Sequence, residues 1–113
     1  MEPRDVIVLG GGPAGYACAL RLSDLGLSCV LVEAADLGGT CLHRGWVPTR
    51  AMSEVAAIAD TLARKAERWG IHAVLEKVDY ARLLATRDEI VARNHVSIRH
   101  HLERARVDVV AGY

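Results

Sequence analysis

Six residues near the start, Gly10-Gly11-Gly12-Pro13-Ala14-Gly15, match the spacing GxGxxG. Glycines so spaced suit a phosphate. Gly10 allows a tight turn, Gly12 lets the backbone approach a pyrophosphate, and Gly15 lets the following helix lie close to the preceding strand. A helix opening at Pro13 and Ala14 offers free N–H groups and a partial positive charge to the same anion. Glu33 stands eighteen residues beyond Gly15, where a carboxylate can accept hydrogens from both ribose hydroxyls. Its charge repels a 2′-phosphate, which disfavours NADP at this position. FAD and NAD both use such a fingerprint. Of the three cysteines, Cys18 lies in a helical pattern and Cys29 opens a strand, so both read as small core residues. Cys41 sits apart from them, among glycines. The three form neither an even framework nor a CxxC pair.

Other polar groupings carry less. His43 and Arg44 could serve as a base and an anion clamp, but read better as structural. His95, His100 and His101, with Arg99, Arg104 and Arg106, could suggest metal or phosphate binding. His100 and His101 are adjacent on a predicted helix and point in different directions, which is poor ligand geometry. A solvated helix face is the better reading, and no metal site is expected.

The elements that must position these residues follow from periodicity. Asp5 to Leu9 (DVIVL) is a β-branched apolar run ended by three glycines, the pattern of a buried parallel strand. From Pro13 to Leu25, Ala14, Ala17, Cys18, Leu20, Leu22 and Leu25 suit a helix packed close to a sheet, stopped by Gly26. Ser28 to Glu33 is a second apolar strand, completing a βαβ unit with an expected right-handed crossover. Ala34 to Gly45 reads as a glycine-rich loop. Beyond Pro48 the pattern turns helical and stops near Gly70, with Met52, Val55, Ala59, Leu62 and Ala66 at spacings of three and four. Ile71 to Leu75 could be a strand or an extended connector. Asp79 is a candidate N-cap for a long helix to Arg104, with Leu84, Val91, Ile98 and Leu102 on one face. Val107 to Ala111 reads as a third strand. Apolar parallel strands need cover on both faces, and the predicted helices supply only part of it, so the unit looks unfinished.

Composition bounds the rest. At 113 residues, with 51% hydrophobic residues, the chain is at most one domain with a sizeable core, and 4% aromatics makes that core aliphatic. A formal net charge of zero removes the global electrostatic case for nucleic acid or an anionic membrane as partner. No segment approaches the run of roughly 18 apolar residues that spans a bilayer, and the chain reads as cytoplasmic.

The segment Gly38-Gly39-Thr40-Cys41-Leu42-His43-Arg44-Gly45-Trp46-Val47-Pro48-Thr49-Arg50 resembles the redox-active signature of the flavin-dependent pyridine nucleotide-disulfide oxidoreductases. That signature reads Gly-Gly-x-Cys, four residues, Cys, a hydrophobic residue, Pro, Ser or Thr, then Lys. The opening VLGGGPAGYACALRLSDLGL is most similar to the dihydrolipoamide dehydrogenase branch. The resemblance covers the whole chain. It implies an α/β fold, a three-layer Rossmann-like FAD-binding fold with a parallel sheet, with a long helical pair before the third strand. Residues 1–113 would be the N-terminal part of a single FAD-binding domain.

It further implies FAD as cofactor, held by Gly10, Gly12, Pro13, Ala14, Gly15, Glu33, Gly39, Thr40, Cys41 and Arg50. NAD(H), homodimerisation and a catalytic His-Glu pair would belong to a full-length relative. In the family's relay, hydride passes between nicotinamide and flavin, a flavin-side thiolate exchanges electrons with the flavin, and a second thiol exchanges with substrate. Cys41 corresponds to the flavin-side thiol. The second redox cysteine falls on Trp46 and the flavin-side lysine on Arg50. The motif is expected to lie on one helical stretch, with positions 41 and 46 about one turn apart. Without the exchange thiol no intramolecular disulfide can form, and the chain alone is expected not to turn over. A non-catalytic FAD or nucleotide-binding module and a non-functional gene fragment are the rival expectations.

Overall fold

A computed structural model describes residues 3–113. Strand β1 (Val6–Leu9) leads through the glycine turn into helix α1 (Pro13–Asp24), which is followed by strand β2 (Cys29–Glu33). The expected glycine-rich loop contains a short helix, α2 (Gly39–His43), and α3 (Trp46–Asp60) follows directly. Its last turns loosen into a π-helical segment (Thr61–Lys65) and a 3-10 segment (Ala66–Trp69), ended by Gly70 at φ 72°. Residues 71–75, expected as a strand or an extended connector, form no strand. Helix α4 (Tyr80–Arg104) and strand β3 (Asp108–Ala111) complete the chain. The strands form one parallel sheet in the order β1-β2-β3, with Val8, Leu31 and Val109 in register and Leu9, Val32 and Val110 in register. The expected α/β, Rossmann-like parallel architecture is what the chain adopts.

Parallel register places the core on one sheet face. Cys29 and Leu31 of β2 point there, with Val8 packed beside them, against Ala19 of α1 and Leu102 of α4. Leu31 and Leu102 are fully buried, each contributing about 1.5–3 kcal/mol. The inward stripe expected for α4 is the observed one, since Leu84, Val91 and Ile98 are half-buried and Leu102 is buried. Asp79 caps that helix by accepting the Arg82 N–H at 3.0 Å. The opposite sheet face stays largely open, with Ile7 63% and Leu9 76% exposed. This matches the expectation that the helices would leave part of the sheet uncovered.

Helix α1 corrects one expectation. Ala14, Ala17, Cys18 and Leu25 are exposed, and the buried stripe runs through Ala19 with Tyr16, Leu20 and Leu22 beside it. Small size had marked Cys18 as core. Helical phase decides otherwise, because α1 has a neighbour on one side only. Cys29 is buried as expected. The chain is also elongated, with a radius of gyration of 19.7 Å and extents of 64 × 26 × 18 Å, where a compact 100-residue domain has about 13 Å. Its far end bears exposed Trp69, Ile71 and Val74. Among the described residues no helix is long and apolar enough to cross a membrane.

Candidate nucleotide and redox site

The glycine turn sits at the carboxyl end of β1, where open α/β sheets bind ligands. Gly10 adopts φ 93°, a left-handed conformation that favours glycine, while its N–H donates to Val32 O at 2.8 Å and ties the turn to β2. A Cβ at Gly15 would stand 1.7 Å from Gly10 O, so only glycine lets α1 start this close to the strand. At Gly12 nothing lies within 4 Å of an added Cβ. That open space fronts the first turn of α1, whose N-cap is Gly12 and whose first residue is Pro13. The Ala14 and Gly15 amides there have no helical acceptor.

Glu33 ends β2 beside this turn. Its Oε2 accepts the Gly11 N–H at 2.6 Å and its Oε1 accepts the Ala35 N–H at 2.8 Å. The Ala35 bond and then the Gly11 bond hold its carboxyl below the usual range, against a small opposing effect of burial. Gly11, which sequence reasoning passed over, is therefore the residue that links the turn to the acid. Its side-chain space is already filled, since a Cβ would meet Leu37 at 2.8 Å.

A second turn closes over the first. Gly38 donates its N–H to Gly11 O at 2.8 Å and stands at φ 100°, with Gly39 at φ 58°. A Cβ on Gly39 would lie 3.0 Å from Gly12 Cα. The starts of α1 and α2 thus converge on one place, with Thr40 and Cys41 in the first turn of α2. A cleft of about 180 Å³ between Glu33, Gly39, Thr40 and Arg44 adjoins them. The larger hollow, about 670 Å³, lies behind this turn on the α4 side, lined by His43, Arg44, Thr49, Arg87, Asp88 and His95.

The redox segment departs from the expected single helical stretch. Arg44 (φ −136°) and Gly45 (φ −116°, ψ −118°) break the helix, so Cys41 belongs to α2 and Trp46 opens α3. The break folds back on itself, because a Cβ on Gly45 would stand 3.3 Å from Cys41 Cα. Cys41 is half-buried and free, Trp46 is 65% exposed, and Arg50 is exposed on α3. His43 Nε2 lies 2.9 Å from Leu37 O. His95 is not on a solvated face. It is half-buried, with Nδ1 3.1 Å from the same Leu37 oxygen. The sequence did contain that signal, since position 95 falls between Val91 and Ile98 on the inward stripe of α4. His100 and His101 are exposed as expected. Among the described residues no three His, Cys, Asp or Glu side chains gather into a group able to hold a metal.

Residues 4–113 match the family model described as pyridine nucleotide-disulphide oxidoreductase. Dihydrolipoyl dehydrogenase of Bacillus subtilis is 34% identical over 109 residues, covering 96% of this chain and 23% of that protein. The Thermus scotoductus dihydrolipoyl dehydrogenase is 37% identical over 113 residues, covering 100% and 24%. Among solved structures, LpdA from Mycobacterium tuberculosis superposes with a TM-score of 0.82 at 26% identity, over 94% of this chain and 23% of that one. A Cu(II) complex of the HOCl-induced flavoprotein disulfide reductase RclA from Escherichia coli gives a TM-score of 0.78 at 23% identity, over 99% and 22%, and supports the fold alone. The chain thus spans about a quarter of the length of the relatives it matches. With the family model covering nearly every residue, the chain belongs to the pyridine nucleotide-disulphide oxidoreductases.

Proposed function

We propose that this chain holds FAD through its ADP half and presents Cys41 beside it, as part of a dihydrolipoamide dehydrogenase-like flavoprotein. The observation that carries the proposal is the open space at Gly12, set between two helix starts and next to a carboxylate at the end of β2. A pyrophosphate fits a cradle of this kind: Gly12 lets it approach, Ala14 and Gly15 amides face it, and Pro13 fixes the first helical φ. Gly39 and Thr40 close it from the α2 side. Glu33 uses its two oxygens on backbone amides and keeps further lone pairs for ribose hydroxyls. Bound FAD would supply two-electron transfer.

This chain's own residues then limit the chemistry. Cys41 is the thiol in the signature, and Trp46 has no sulfur with which to close or exchange a disulfide. Arg50, exposed on α3, stands where the family carries a flavin-side lysine and would place a permanent positive charge there. The reading is therefore of a flavin-holding unit with a broken redox pair. NAD(H), a homodimer and cytoplasmic localisation belong to this proposal through the longer relatives. The Trp46 and Arg50 departures favour a second reading, a nucleotide-binding module without disulfide chemistry. Two measurements on the purified chain separate the readings: calorimetric titration with ADP and FAD, and NADH-dependent disulfide reduction. Binding of both nucleotides without reduction supports the first. ADP binding with no preference for FAD favours the second. Substantial disulfide reduction refutes the broken pair.

A further inference from the structure

The turn that carries Gly38 and Gly39 is held from behind by two imidazoles. His43 Nε2 lies 2.9 Å and His95 Nδ1 lies 3.1 Å from one carbonyl oxygen, that of Leu37. A carbonyl oxygen only accepts, and it has two lone pairs. Each facing nitrogen therefore carries a hydrogen and donates it, Nε2–H on His43 and Nδ1–H on His95. The rings meet edge to face with centroids 5.5 Å apart, so the two donors approach the oxygen from different sides. The other end of the same peptide group is also fixed, because the Gly38 N–H donates to Gly11 O at 2.8 Å. One peptide, Leu37–Gly38, thus joins helix α4 to the glycine turn. Leu37 is itself 2% exposed and anchored in the core. Gly38 at φ 100° and Gly39 at φ 58° leave the turn little intrinsic preference for this shape.

We propose that His95, acting with His43, is a positioning residue: the two clamp the Leu37–Gly38 peptide and so aim Gly39, Thr40 and Cys41 at the nucleotide. The aim of the clamp rests on the FAD reading above, whereas the clamp itself stands on the geometry alone. Position 95 lies 58 residues from Leu37 in sequence, so a long helix outside the βαβ unit shapes the redox turn.

The test uses the whole chain and needs no nucleotide for its first two arms. Nitrogen-15 imidazole spectra near neutral pH should show His43 protonated at Nε2 and His95 at Nδ1. Amide exchange at Gly38 should accelerate about two- to tenfold in His95→Leu, the equivalent of one neutral hydrogen bond. His95→Gln, which keeps a donor, should restore part of the protection, as a role in packing alone would not require. The opposite His95 tautomer, or unchanged Gly38 exchange in a folded His95→Leu chain, overturns the clamp. If His95→Leu does not fold, the tautomers of the unmodified chain still decide. A third arm, ADP titration, should show weaker binding by a similar factor in His95→Leu. Loosened Gly38 with unaltered ADP affinity overturns the positioning role. An unmodified chain that binds no ADP refutes the FAD reading and leaves the first two arms to judge the clamp.

Discussion

Replacing Glu33 by Gln keeps shape and removes charge, and the structure says what should follow. The carboxylate accepts two backbone N–H groups, from Gly11 at 2.6 Å and Ala35 at 2.8 Å. Glutamine has one acceptor oxygen, so it can keep one of these bonds and must turn its NH₂ toward the other donor. The retained bond also loses its charge assistance, which is about half its strength. Losing one charged bond costs about 1.5–3 kcal/mol in a well-shielded site. Because Glu33 is only half-buried, water recovers part of this, leaving about 1–2 kcal/mol. The pH dependence fixes the sign. Glu33's folded-state carboxyl is held low, so its contribution is complete above the unfolded value near 4.3 and fades as pH falls through the folded value. Urea denaturation at pH 7 should show Glu33→Gln less stable by that amount, and the gap should narrow at acid pH. Equal urea midpoints at pH 7 would refute the role assigned to these two bonds.

Other perturbations test separate parts. Gly15→Ala should destabilise by about 2–3 kcal/mol in thermal melts, because its Cβ would stand 1.7 Å from Gly10 O and backbone must move; a cost under about 0.5 kcal/mol would contradict the packed helix start. Asp79→Ala removes the N-cap bond to Arg82 and should cost about 1 kcal/mol by chemical denaturation. Trp46→Cys should supply a partner for Cys41, since the chain turns back at Gly45, where an added Cβ would stand 3.3 Å from Cys41 Cα. Mild oxidation should then give an intramolecular loss of two hydrogens by mass spectrometry, while the unmodified chain keeps Cys41 as a free thiol; dimers alone would contradict the fold-back.

Much of this arrangement was legible because it is local. The glycine turn, its flanking strand and helix, Glu33, the stop at Gly70 and the cap at Asp79 are each written within a few residues. What sequence reasoning missed depends on where one element faces another. Cys18 looked like core by type, yet α1 has a neighbour on one side only and turns it outward. The loop before Gly45 hid helix α2, because five residues from Gly39 to His43 are too few for periodicity to show. The break at Arg44 and Gly45 puts Cys41 and Trp46 on successive helices, where the family resemblance implied one helical stretch. His95 joined Leu37 through a tertiary contact, which its neighbours in sequence do not specify.

A calorimetric titration of the chain with FAD, beside the Gly12→Val variant, decides whether the glycine cradle holds the pyrophosphate. Space at Gly12 is open to a ligand, with nothing within 4 Å of an added Cβ, so a side chain there has room to begin without meeting the free protein. Its side chain would instead occupy the pyrophosphate's place. On the pyrophosphate reading, the unmodified chain binds FAD saturably and Gly12→Val does not, with the same circular dichroism for both. FAD binding that survives in Gly12→Val, or a folded unmodified chain that takes up no FAD, would contradict it.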